Sequence, residues 1–541
     1  MAARASNLAE EVALPDDSVL PDSEAVPSPE GAASPDHSDA VLTIRDLKTY
    51  FYTYDGVVKA LDGVTLQIRK GQTTGLVGET GCGKSVTAFS VTRLIPDPPG
   101  RVISGEIRFE GANLLWGLDK EASFKPIAGT NRVKIRRSFR RIKQATDRMS
   151  SVRGRGIAMI FQEPTQAMNP IFTIANQIGE TLLLHRGVDI VDGILEMHPD
   201  APEVAPALDN LVATASRAKT GELRVAADEL GKAVGLESVG TQAYALFRAA
   251  SRDVEGARAD IEDVLRHLRP DGLQRAFLRH RRRMTLLQDE LNEVYLLEMR
   301  EGKAHGSERR RLRRKLATER WRNIYFGLWG IRSRSKKALE RETFWRSVRM
   351  LEGMSIANPV QVARGFPFEL SGGMLQRVMI AMALSAEPKI LLADEPTTAL
   401  DVTIQAQILE LMRDLKTRAG TAILLITHDL AVIAEVADRV CVMYAGTIVE
   451  EGEVHEIFRR PLHPYTQGLL ASIPRLDRPD QEFTSIPGSV PNLIYPPSGC
   501  RFHPRCPYAM PVCKGERPPV TLEGEDHAVA CYLYKGPVRA D

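Results

Sequence analysis

Residues 78–85 read Gly78-Glu79-Thr80-Gly81-Cys82-Gly83-Lys84-Ser85, directly after a short apolar run at 74–77 and before a helical pattern. An apolar strand that ends in a glycine-rich loop and restarts as a helix is the layout of a phosphate-binding loop. The glycines let backbone N–H groups turn inward around phosphate oxygens, and the opening helix adds the positive end of its dipole. Lys84 is then placed to reach the β- and γ-phosphates, and the Ser85 hydroxyl to meet a Mg2+ ion. The nucleotide-binding stretch is taken as Gly78 through Val86.

Outward from this loop, residues 41–54 and 60–69 alternate as strands do, with Val64, Leu66 and Ile68 on one face. Short apolar runs at 156–161, 389–393, 422–427 and 439–444 are separated by helical periodicity. That alternation predicts an α/β core with a largely parallel sheet. The run Ile390-Leu391-Leu392-Ala393-Asp394-Glu395 delivers two acids at the end of a buried strand. Asp394 suits the water-mediated surroundings of Mg2+. Glu395, one position further, suits orienting or deprotonating an attacking water.

Before those acids stands Leu370-Ser371-Gly372-Gly373-Met374-Leu375-Gln376-Arg377. With this signature in place the chain resembles the ABC ATPases. The resemblance implies an ABC-type P-loop NTPase, a RecA-like core plus a helical subdomain, that binds ATP with Mg2+ and hydrolyses it. In that family the signature of one subunit closes over ATP held by the phosphate loop of another. Ser371, Gly372 and Gly373 suit this role, because a hydroxyl and unhindered N–H groups at a helix start bind γ-phosphate. Gln162, in Phe161-Gln162-Glu163-Pro164, would sense Mg2+ and the attacking water. Asp401, in Thr398-Ala399-Leu400-Asp401, belongs to a loop that would cross the dimer interface. His428, in Ile426-Thr427-His428-Asp429, would contact the γ-phosphate. Tyr54 is the expected aromatic under adenine, with Phe51 and Tyr52 as competitors.

The resemblance tightens to the branch that powers di- and oligopeptide uptake. It is carried by FQEPTQAMNP at 161–170, PFELSGGMLQRVMIAMAL at 367–384, HPYTQGLL at 463–470, IPGSVP at 486–491 and GCRFHPRC at 499–506. It implies two transmembrane permease subunits and a second ATPase core, either a related chain or a copy of this one. It also implies an extracytoplasmic solute-binding protein, and a peripheral position on the cytoplasmic face of the cell membrane. Oligosaccharide and nickel uptake use the same type of subunit. Cys500, Cys506, Cys513 and Cys531 form C-x5-C-x6-C-x17-C. Four thiolates suit an iron–sulfur cluster or a structural zinc ion, and free thiols are the third option. Some members of the branch hold a [4Fe–4S] cluster at the corresponding cysteines, so the resemblance implies that group, with zinc as the alternative. Cys82 and Cys441 read as plain small residues.

The bulk numbers are permissive. The 541 residues are 43% apolar and 26% charged with a formal net charge of +2, which demands neither nucleic acid nor an acidic surface. No run approaches the roughly 20 apolar residues that span a bilayer, and no secretory signal precedes the core. Residues 1–40 carry nine acids and one Arg and read as a disordered acidic tail. The core is expected at 41–187 and 341–479, with a Cys-containing C-terminal domain at 480–541. Residues 188–340 read as a long basic helical insertion, with 19 Lys/Arg against nine Asp/Glu over 271–340. Its basic faces are either solvated or dock a partner. A second basic insertion is expected near 132–148. An ABC-fold ATPase acting on nucleic acid is the rival reading, disfavoured by the single core and the transporter-type C-terminal motifs.

Overall fold

The computed structural model describes residues 9–13 and 39–539, apart from 127–131, 218–219, 251–252, 268–280, 282–284, 287–289, 303–304, 328–331, 399, 473–485, 525, 535 and 537. Its centre is an eight-stranded sheet. Five strands are parallel, in the order Arg439–Tyr444, Thr73–Val77, Ala422–Ile426, Ile390–Asp394 and Ile157–Ile160. Every residue of these five strands is buried, as expected of strands covered on both faces. Thr447–Glu453, Ala528–Val529 and Thr521–Leu522 extend the sheet antiparallel beyond Arg439–Tyr444.

A four-stranded antiparallel sheet lies beside it, in the order Gly56–Arg69, Ala40–Thr53, Gly100–Phe109 and Ala112–Asn113. Val64, Leu66 and Ile68 are fully buried, and Leu66 and Ile68 share one apolar cluster with Leu76, Leu392 and Leu424 of the central sheet. The two sheets thus close over one core. The phosphate-loop strand lies inside the larger sheet, between Arg439–Tyr444 and Ala422–Ile426.

The region expected as a long insertion is helical. Its outer limits differ from 188 and 340, because Ile174–Glu196 and Arg332–Gly353 each run through one of them. The first of these kinks at Arg186, close to the expected limit. Leu211, Leu230 and Val239 pack into the same cluster as Val348, Leu351 and Val378, the last on the signature helix. Periodicity alone does not show such a boundary, since helices on both sides of it bury their apolar faces against each other.

The later part of that region turns to a different neighbour. Glu298, fully buried on the helix Leu291–Glu301, takes Arg148 at 3.0 Å and Arg309 at 3.4 Å. Arg148 lies on Phe139–Met149 and stacks 4.0 Å over the Trp116 ring. The two basic stretches read separately in the sequence are therefore joined through one buried carboxylate. Such a pair is costly to break from either side, because the remaining charge stays buried.

The expected disordered tail needs one correction. Ala9–Ala13 is a strand, antiparallel to Arg132–Arg137, which pairs in turn with Ala122–Pro126. Low apolar content does not prevent a short segment from adding main-chain hydrogen bonds to an existing edge. Residues 1–8 and 14–38 lie outside the described residues.

Candidate functional site

The strand Thr73–Val77 ends at Gly78, where φ is +154° and a Cβ would stand 2.1 Å from the Met443 carbonyl oxygen. At Gly83, φ is +108° and a Cβ would meet the Ala60 carbonyl oxygen at 2.7 Å. Only glycine fits these two positions, and together they fold the loop back on itself before the helix Lys84–Val91 begins. Lys84 is buried and reaches back across the loop, its Nζ donating to the carbonyl oxygens of Gly78 (2.7 Å) and Glu79 (3.1 Å). Thr80 and Gly81 are exposed at the rim, while Cys82 is buried and Val86 packs against the core below. Burial pushes the Cys82 and Cys441 thiols up, so both behave as neutral packing groups.

One parallel strand, Ile390–Asp394, brings both acids to this loop from one place beyond its neighbour Ala422–Ile426. Ser85 Oγ donates to Asp394 Oδ1 at 3.0 Å. Burial raises the Asp394 carboxyl to about 6, partly offset by that hydrogen bond. Glu395 follows with φ +47°, a left-handed conformation uncommon for a non-glycine residue and found preferentially where a side chain must be aimed. Its Oε2 accepts from Gln162 Nε2 (3.1 Å) and Thr398 Oγ1 (3.0 Å), and its Oε1 lies 3.1 Å from His428 Nδ1. Glu395, Gln162 and His428, each proposed from a separate motif, therefore meet at one carboxylate. Thr398 was quoted in the sequence only as part of a loop. Its hydroxyl had no signal of its own there.

The remaining candidates stand apart from this cluster. Ser371 caps the helix Gly372–Leu384, its side chain accepting from the Met374 N–H at 3.4 Å. A Cβ on Gly372 would meet nothing within 4 Å, and one on Gly373 would only touch Leu400 and Ile404. Asp401 caps Val402–Ala419 through the Ile404 N–H at 2.9 Å and is exposed. One buried link ties this exposed edge to the acids, since Gln376 Nε2 on the signature helix donates to the Pro396 carbonyl at 2.8 Å. Tyr54 is fully exposed at a hairpin tip, whereas Phe51 and Tyr52 are half-buried.

The C-terminal region reaches the phosphate loop directly. Arg505 forms a bidentate pair with the Glu79 carboxylate at 2.7 and 3.0 Å. The Glu79 N–H donates to Tyr465 Oη at 2.8 Å. Tyr465 is fully buried against Tyr444 and Phe502. The helix Pro464–Ala471 that carries it is capped by His463, whose Nδ1 accepts from the Tyr465 N–H at 3.0 Å. Burial lowers His463 to about 4, so the ring stays neutral and keeps that acceptor. Neither Arg505 nor Tyr465 was readable as a site residue, because each lies more than 380 positions from its partner.

Cys500, Cys506, Cys513 and Cys531 line one pocket, together with His503, Tyr508 and Met510. Burial raises the Cys531 thiol to about 11, and the three other thiols add to the rise. Among the described residues no group of three or more His, Cys, Asp or Glu side chains is placed to ligate one metal ion.

Comparison with known proteins adds the family. The ABC transporter family matches residues 61–243 and 307–398, and the oligopeptide/dipeptide transporter C-terminal region matches 449–513. The chain is 32% identical over 496 residues to a probable peptide ABC transporter ATP-binding protein of Sinorhizobium fredii, covering 92% of this chain and 95% of that one. It is 32% identical over 495 residues to the dipeptide transport ATP-binding protein DppD of Bacillus subtilis, covering 92% and 95%. It is 33% identical over 494 residues to the oligopeptide transport ATP-binding protein OppD of the same organism, covering 91% and 88%.

Proposed function

Because this chain belongs to the ABC transporter family of ATP-binding proteins, we propose that it couples ATP hydrolysis to the uptake of di- or oligopeptides. The observation that carries the reading is the assembly around Glu395, with Gln162, Thr398 and His428 on one carboxylate beside the Lys84–Ser85–Asp394 loop. ATP would lie along 78–86 with its phosphates against the loop N–H groups and Lys84, and Mg2+ would be held between Ser85, Gln162 and Asp394. Glu395 would take the proton of the attacking water, and His428 would hold the γ-phosphate. Tyr54 would stack on adenine, its full exposure leaving the ring face free.

Ser371, Gly372, Gly373 and Asp401 would serve the ATP of a second core, a related chain or another copy of this one. Two permease subunits and an extracytoplasmic solute-binding protein would complete the importer at the cytoplasmic face of the membrane. Among the described residues no helix is long and apolar enough to cross a bilayer. Membrane attachment is thus assigned to the permeases. Purification with the two permeases, followed by ATPase assays with a peptide-loaded binding protein, tests this. Peptide-dependent stimulation is expected. Stimulation by nucleic acid and none by peptide would replace the reading with the nucleic-acid one.

The shared pocket of Cys500, Cys506, Cys513 and Cys531 supports a thiolate-held [4Fe–4S] cluster as a structural group. Anaerobically purified protein should carry about four irons per chain, lost on Cys513→Ser and retained on Cys441→Ser. One zinc per chain would replace the cluster, and metal-free protein would leave four thiols.

A further inference from the structure

Two of the three C-terminal motifs that mark the transporter branch meet on Glu79 of the phosphate loop, and the third holds the Arg505 that does so. Tyr465 comes from 463–470, the carbonyls of Ile486, Pro487 and Gly488 from 486–491, and Arg505 from 499–506. Arg505 donates to all three carbonyls and to both oxygens of Glu79, and its side chain is 5% exposed. Each polar group of Glu79 is engaged: the N–H by Tyr465, the carbonyl by Lys84 and the carboxylate by Arg505. A free choice in a phosphate-loop pattern is here a carboxylate, next to Gly78 and within a loop that must accept a polyanion. Like charges in a partly buried site repel strongly, and an opposite charge at hydrogen-bond distance cancels that repulsion.

We propose that Arg505 is a positioning residue for ATP: its guanidinium neutralises Glu79 and turns that carboxylate away from the phosphates, so the C-terminal region sets the charge and shape of the phosphate loop. The proposal rests on the ATP-binding reading above. It gives the C-terminal motifs a task at the nucleotide, and it explains why they sit on the one acidic residue of the loop. A planar fork suits the task, because it matches both carboxylate oxygens while its remaining N–H groups hold the loop at 486–488.

The sign of a double substitution separates this role from simple support. MgATP affinity of the full-length chain is measured with a fluorescent ATP analogue for wild type, Arg505→Ala and Glu79→Gln/Arg505→Ala. Arg505→Ala should weaken binding about tenfold or more, as truncating one partner of a buried charge pair does. Adding Glu79→Gln should restore about threefold or more, because the uncompensated carboxylate is gone. Arg505→Gln, which keeps a polar side chain with two N–H donors but carries no charge, gives a second background should the alanine variant fail to melt cooperatively. It should show the same loss and the same recovery. A double variant no tighter than the Arg505 single variant, or an Arg505→Gln variant that binds like wild type, would overturn the proposal. Absence of MgATP binding by the wild-type chain itself would overturn the parent reading and this one with it.

Discussion

The two faces that ATP is proposed to meet are built in opposite ways. On the phosphate-loop face, Lys84 ties the Gly78 carbonyl at 2.7 Å, Ser85 holds Asp394 at 3.0 Å, Gln162 and His428 each meet Glu395 at 3.1 Å, and Arg505 and Tyr465 brace the loop from behind. On the signature face, Ser371 and Asp401 do no more than cap their own helices, and Gly372 faces open space. In the proposed reading this face serves the ATP of a second core. The buried Gln376–Pro396 bond links the two faces within one chain, through the residue that follows Glu395.

Changing the braced face should cost chemistry first. Glu395→Gln keeps the shape and removes the base, and it should lower ATP turnover by about 10²–10⁴-fold while binding persists. Near wild-type turnover in the assembled complex would take the proton-accepting role from Glu395. Lys84→Ala removes a buried ammonium from the phosphates, and MgATP affinity should fall by about 10–100-fold, the scale of a lost charged hydrogen bond. Equilibrium binding with the isolated chain checks it.

The bracing itself has a pH signature. His463 titrates near 4 in the folded chain and near 6.5 when unfolded, so between those values the unfolded state binds the extra proton. The stability that the neutral ring contributes is fully present above about 6.5 and is lost progressively as pH falls toward about 4, by at most about 3 kcal/mol. His463→Asn keeps a capping oxygen without the titration. Denaturant midpoints should therefore drop more steeply with falling pH in wild type than in the variant, and parallel curves would contradict a buried neutral histidine. The smallest effect belongs to the other face. Ser371→Arg should change MgATP affinity of the isolated chain by less than about twofold, since the hydrogen bond of the Ser371 side chain is to its own helix. A loss matching that of Lys84→Ala would join the two faces within one chain.

Much of this was legible before any coordinates. The five buried parallel strands follow from five apolar runs, and Arg439–Tyr444 coincides with its run at both ends. Asp394 and Glu395 follow from local order, an apolar run that ends in two acids, whereas Gln162 and His428 come from the family resemblance, and strand ends deliver all four to one edge of a parallel sheet. What stayed hidden is non-local. Tyr465 and Arg505 act through hydrogen bonds to a residue more than 380 positions away, and the Arg148–Glu298 pair joins segments that look unrelated in sequence. The strand Ala9–Ala13 was missed for a related reason, since its partner lies at 132–137, well over a hundred positions further along the chain.

If the ATP site is completed only by a second core, the turnover rate per chain must depend on assembly. ATP hydrolysis should be followed against chain concentration, alone and with the co-purified ATPase partner, alongside sedimentation to establish the oligomeric state. The composite site predicts a rate per chain that rises with concentration or on adding the partner, and that falls toward zero where only monomer sediments. A rate per chain that stays constant down to concentrations at which the protein is wholly monomeric would contradict it.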